Sequence, residues 1–135
     1  MAGPLISASL VWTRDLQFEA RTAHTSLTID SKGRDGPSPP EALACALAGC
    51  MAVDVVDIIT KGRHPLTALT AELVAERAPD PPRRFVKVTL HLVATGDVPA
   101  AAVERALQLS RDKYCSVWHT LRQDVEFATT FEVRP

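Results

Sequence analysis

A chain of 135 residues can bury one substantial core, so residues 1–135 are expected to form a single domain. A formal net charge of −1 and a pI near 6.4 leave no electrostatic footprint for nucleic acid or an anionic membrane surface. Three cysteines, an odd number, follow a start, "MAGPLISASLVW", that lacks a basic region and a clean apolar run. Together these predict free thiols in a cytoplasmic protein rather than a disulfide framework.

In chain order, Ile6, Ala8, Leu10 and Trp12 alternate with Ser7, Ser9 and Val11, the period-2 signature of a strand. Thr13-Arg14-Asp15 is a turn. Strands are expected over about 17–23 and 25–29, and "DSKGRDGPSP" (Asp30 to Pro39) is a polar loop. A helix then starts with Ser38 as N-cap, Pro39 at N1 and Glu41 at N3 as a capping box, and stops at Gly62 with Pro65 beyond. At 1.5 Å per residue it is about 33 Å long. Strands over 67–77 and 85–94 follow, joined by a Pro-rich hairpin loop. Asp97 caps a second helix whose buried stripe is Val103, Ala106, Leu107, Ser110 and Tyr114. Cys115-Ser116 interrupts that helix, residues 117–121 add a turn, and Val125 to Val133 alternate as a last strand. The order βββ-α-ββ-α-β is α+β. The charge runs Lys61–His64 and Arg83–Lys87 lie at element ends and read as solvated.

The long helix is unusual. From Ala42 to Val53 it has no charged or amide side chain on any face. This twelve-residue run is short for a membrane span, which needs about 20 residues. A helix lying on an open sheet needs only one apolar face, and the chain has little left to cover the others. A second subunit is the simplest cover, so a homodimer with these helices near its centre is expected.

Any single cysteine is first of all a small buried apolar residue. Cys45 fits that reading. Cys50 lies five positions on, about 140° around the helix, so it shares no face with Cys45 and cannot readily pair with it. Asp54, one turn after Cys50, would raise the thiol pKa unless a cation neutralised it. Cys115 sits at a helix junction, where free N–H groups can favour a thiolate. His119 could face it, although a surface histidine is the plainer reading. The histidines and cysteines show no metal-ligand spacing, and no cofactor motif is present.

The stretch "GPSPPEALACALAGCMAVDVVDI" (Gly36 to Ile58) resembles the central-helix motif of the OsmC/Ohr family, and "DKYCSV" (Asp112 to Val117) resembles its second-cysteine motif. Their spacing and the element order agree over nearly the whole chain. The resemblance implies an intertwined homodimer with central apolar helices against antiparallel sheets, and active sites at the subunit interface. It implies Cys50 as peroxidatic cysteine and Cys115 as resolving cysteine. The substrate would be an organic hydroperoxide and the reductant a dithiol such as a dihydrolipoyl group. No metal or cofactor, nucleic acid or membrane is implied. The family's peroxidases carry an Arg in the loop after the first strand and a Glu ten residues before the peroxidatic Cys. Here Pro40 stands at that place and Glu41 lies nine before Cys50, so Glu41 is either catalytic or only a capping residue. Arg14 is the arginine candidate, with Arg21 and Arg34 behind it. Leu43, Leu47 and Met51 would form an apolar substrate wall. The alternative is a non-enzymatic dimer of this fold that binds a small apolar ligand and keeps weakly activated thiols.

Overall fold

The long helix, α1 (Pro39–Lys61), begins where its capping signals place it. The Ser38 N–H donates to Glu41 Oε1 at 3.0 Å, and the Glu41 N–H donates to Ser38 Oγ at 3.3 Å, which closes the capping box. The computed structural model describes residues 2–135. Within α1 the chain divides into two compact units, one ending at Leu43 and one starting at Ala44.

The first unit is an antiparallel meander of β1 (Ser9–Arg14), β2 (Gln17–Arg21) and β3 (Ser26–Asp30), each within a few residues of its expected place. Asp30 organises the loop that follows. Its buried carboxylate accepts the N–H groups of Lys32, Asp35 and Arg34 at 2.9, 3.1 and 3.3 Å. Gly33 takes a φ of +68°, and a Cβ there would stand 2.6 Å from Glu41 Oε1, so the loop needs glycine to meet the carboxylate that caps α1. Every residue of β1 is exposed, including Leu10, Val11 and Trp12.

In the second unit β5 (Phe85–Gly96) lies between β4 (Leu66–Arg77) and β6 (Glu126–Arg134). β4 and β5 pair antiparallel, but β6 pairs parallel to β5. The expectation of antiparallel sheets is therefore corrected for this one. The chain leaves β5 through α2 (Ala100–Leu109), a π-helical turn (Ser110–Tyr114) and α3 (Ser116–Thr120). Such a long crossover returns the chain to the end where β5 began, so β6 runs in the same direction.

Alternation along β5 buries Val88, Leu90, Leu92 and Ala94. Against them the core gathers Leu47, Met51, Val55 and Ile59 of α1, spaced at i, i+4, with Val103, Ala106 and Leu107 of α2, Trp118 and Phe127. By length and composition the whole of α1 could cross a membrane, with a mean hydropathy of 2.1 over its most apolar 18 residues. The short-run argument against a span thus fails for the full helix. The packing of its i, i+4 ladder into the unit's own core accounts for one apolar face, while Leu43, Val53 and Val56 remain exposed.

Two local expectations change. α2 is capped by Pro99, with no side-chain cap, rather than by Asp97. Tyr114 is half exposed rather than part of the buried stripe. The cause is the π-helical turn: the Cys115 N–H reaches back five residues to Ser110 O at 2.7 Å. One extra residue per turn rotates Tyr114 off the stripe that Val103, Ala106, Leu107 and Ser110 keep.

Candidate redox site

The second unit brings Cys50 and Cys115 together. Cys50 is half-buried on α1; Cys115 is fully buried and serves as the N-cap of α3, where its sulfur accepts the Trp118 N–H at 3.4 Å. Ser116 Oγ lies 3.9 Å from Cys50 Sγ. Cys45 is free and exposed on another face of α1.

The two thiols differ in acidity. Burial pushes the Cys50 thiol up. The Val117 backbone N–H, the Cys115 thiol and the Ser116 hydroxyl outweigh it, so the thiol sits below its ordinary value although Asp54 opposes ionisation. Cys115 goes the other way. Burial dominates the Trp118 N–H, the neighbouring Cys50 and Asp54 add to it, and the thiol is pushed up to about 11. The helix junction therefore favours a thiolate at Cys50, not at Cys115 as the chain order suggests. The physical reason is depth: the same start of α3 faces both sulfurs, but only Cys115 is wholly removed from water. His119 presents an exposed side chain.

Asp54 is held in place by a residue that sequence reasoning listed only as core. Ser110 Oγ, fully buried at the start of the π-helical turn, donates to Asp54 Oδ2 at 2.7 Å and lies 3.2 Å from Met51 Sδ. Ser116 and the Val117 N–H were missed as well. The motif spacing around Cys115 could have signalled them, because the first N–H groups of any helix that starts at a cysteine need acceptors.

The charged site expectations fall in the first unit. Arg14 Nη2 pairs with Asp35 Oδ2 at 3.4 Å, and Gln17 Nε2 donates to the same oxygen at 2.6 Å. Arg21 pairs with Glu19 at 3.2 Å. Arg34 contributes its backbone N–H to Asp30. Glu41 is engaged in the capping box, and its hydrogen bonds from Ser38 hold its carboxyl below the ordinary range. Leu47 and Met51 are fully buried in the core, so within this chain they are not a substrate wall. Among the described residues no three His, Cys, Asp or Glu side chains converge as metal ligands.

An α+β chain of two three-stranded sheets, with one thiol on a long apolar helix and a second at a helix cap, is of the OsmC type. The chain belongs to the OsmC family: residues 30–130 match the family described as OsmC-like protein. It is 38% identical over 131 residues to Protein YhfA of Escherichia coli K12, covering 95% of this chain and 98% of that one. A hypothetical protein of Aquifex aeolicus shares the structure with a TM-score of 0.91 and 26% identity, covering 98% of each chain. An organic hydroperoxide resistance protein OsmC of Legionella pneumophila superposes with a TM-score of 0.72 at 16% identity, covering 98% of this chain and 100% of that one, a likeness of fold.

Proposed function

We propose that this protein is a thiol-dependent peroxidase that reduces organic hydroperoxides to alcohols. One observation carries the reading: two thiols lie together in the second unit, Cys50 half-buried on α1 and Cys115 fully buried at a helix cap, where burial keeps it the weaker acid. The Cys50 thiolate attacks the distal oxygen of ROOH. The O–O bond breaks, the alcohol leaves with a proton, and Cys50 becomes a sulfenic acid. Cys115 then attacks the Cys50 sulfur, an S–S bond forms, and its thiol proton leaves with the sulfenic hydroxyl as water. An external dithiol, such as a dihydrolipoyl group, reduces the disulfide by exchange.

Cys115 kept as a thiol suits this order. It donates to the Cys50 sulfur in the resting state and is slow to react with peroxide itself. Arg14 and Glu41 are proposed as the polar groups that would orient the peroxide, although both are engaged within the first unit, Arg14 with Asp35 and Glu41 with Ser38. Asp54 favours a second reading, a binder of small apolar ligands with weakly activated thiols, because its charge opposes ionisation at both sulfurs.

The working form is proposed to be a homodimer. On the face of α1 opposite its buried ladder, Ala46, Gly49, Val53 and Val56 are exposed, and a Cβ on Gly49 would meet nothing within 4 Å. This small, apolar face suits close packing against the same helix of a second copy.

Intact-mass spectrometry after one equivalent of cumene hydroperoxide tests the chemistry. The native chain is expected to lose about two hydrogens, and Cys115→Ser to gain one and then two oxygens. A native chain that only gains oxygen removes Cys115 from the resolving role, and one that does not change favours the binder.

A further inference from the structure

Ser110 is a junction between the two thiol-bearing elements. Its carbonyl oxygen accepts the Cys115 N–H at 2.7 Å, closing the π-helical turn that ends at the second thiol. Its hydroxyl crosses to α1 and donates to Asp54 Oδ2 at 2.7 Å, one helical turn from Cys50. Ser110 is fully buried, so its hydroxyl has no water to replace that carboxylate. A π-helical turn is rare and occurs mostly as a single-turn bulge, and here the Ser110–Asp54 bond ties that turn to α1.

We propose that Asp54, acting through Ser110, is a positioning residue for the resolving step: it locks the π-helical turn so that the Cys115 sulfur stays in register with Cys50. This rests on the two-cysteine reading above. The step it serves forms the Cys50–Cys115 S–S bond and breaks the S–O bond of the sulfenic acid. Water carries off the hydroxyl and the Cys115 proton. Asp54 touches neither the peroxide nor the oxygen that leaves; it holds the attacking sulfur at the distance where closure outruns a second oxidation of Cys50.

The test compares the native chain with Asp54→Ala, Asp54→Asn and Ser110→Ala, each reduced and folded. Two oxidants are used, cumene hydroperoxide in excess and diamide, which takes two electrons and two protons from a dithiol without any peroxide chemistry. Asp54→Ala and Ser110→Ala are expected to close the disulfide with diamide at least about tenfold more slowly than the native chain. With excess peroxide their product shifts from disulfide to Cys50 sulfinic acid. Asp54→Asn keeps an oxygen that accepts the Ser110 hydroxyl and is expected to close within about threefold of native, a rescue that general destabilisation would not produce. If Asp54→Ala does not fold, Ser110→Ala against Asp54→Asn carries the same comparison. Closure at the native rate in Ser110→Ala and Asp54→Ala overturns the proposal, and so does an Asn variant as slow as the Ala variant. A native chain inert to peroxide that still closes with diamide in the expected order upholds the positioning role and overturns the peroxidase reading. A native chain that closes with neither overturns the positioning role.

Discussion

The difference in acidity between the two thiols sets a rate that can be measured without any substrate. With Cys115 pushed up from 9.0 to about 11, roughly one molecule in 10,000 carries it as thiolate at pH 7, against about 1% for the unshifted thiol. Alkylation follows the thiolate, so Cys115 is expected to react about 100-fold more slowly than an unperturbed thiol, and its full burial slows it further. Cys50, held below the ordinary value and half-buried, is expected to outrun Cys115 by at least about two orders of magnitude. The assay is timed iodoacetamide labelling of the reduced native protein at pH 7, with each cysteine followed by peptide mass spectrometry. In concentrated urea the gap collapses, because burial, the largest cause of the Cys115 shift, is gone. In Cys50→Ser the slow labelling of Cys115 persists for the same reason. Native labelling of Cys115 as fast as Cys50 would refute the division of roles on which the two-step mechanism depends.

Cys50→Ser is expected to abolish the mass change after stoichiometric hydroperoxide, whereas Cys45→Ser keeps it, since Cys45 lies exposed on another face of α1; equal loss from both would point to the wrong thiol or to misfolding. Light scattering at micromolar concentration should give about twice 14.6 kDa, and Val53→Glu on the exposed face of α1 should shift it toward the monomer; a monomeric native chain would undo the interface. Met51→Ala, at a fully buried core position, is expected to cost about 2–5 kcal/mol in urea unfolding. Hydrogen bonds from the backbone N–H groups of Lys32, first, then Asp35 and Arg34 hold the Asp30 carboxyl below its ordinary 3.8. Its contribution to stability is therefore present above that value and lost as pH falls through the lower folded one. Asp30→Asn should flatten that acid dependence between pH 6 and pH 2, and an unchanged slope would show that the loop does not depend on the charge.

Much of the frame is legible in the residues alone, because it rests on local physics. The capping box at Ser38 and Glu41 specifies the start of α1 from hydrogen-bonding groups three residues apart. Alternation along Val88, Leu90, Leu92 and Ala94 specifies a strand with one buried face. The two cysteine motifs, in register, point to the family that residues 30–130 then match. What the sequence could not decide depends on groups distant in the chain. The parallel docking of β6 follows from the end of the sheet to which the α2–α3 crossover returns. The outward turn of Tyr114 follows from one extra residue in the turn before Cys115, which a 3.6-residue stripe cannot register. The cause of the acidity difference is not legible in chain order, since the start of α3 lies next to Cys115 in sequence. Only the tertiary structure aims the Val117 N–H at Cys50 and buries Cys115 beyond the reach of water. Desolvation and the direction of hydrogen bonds are properties of packing, and packing is where the candidate site is made.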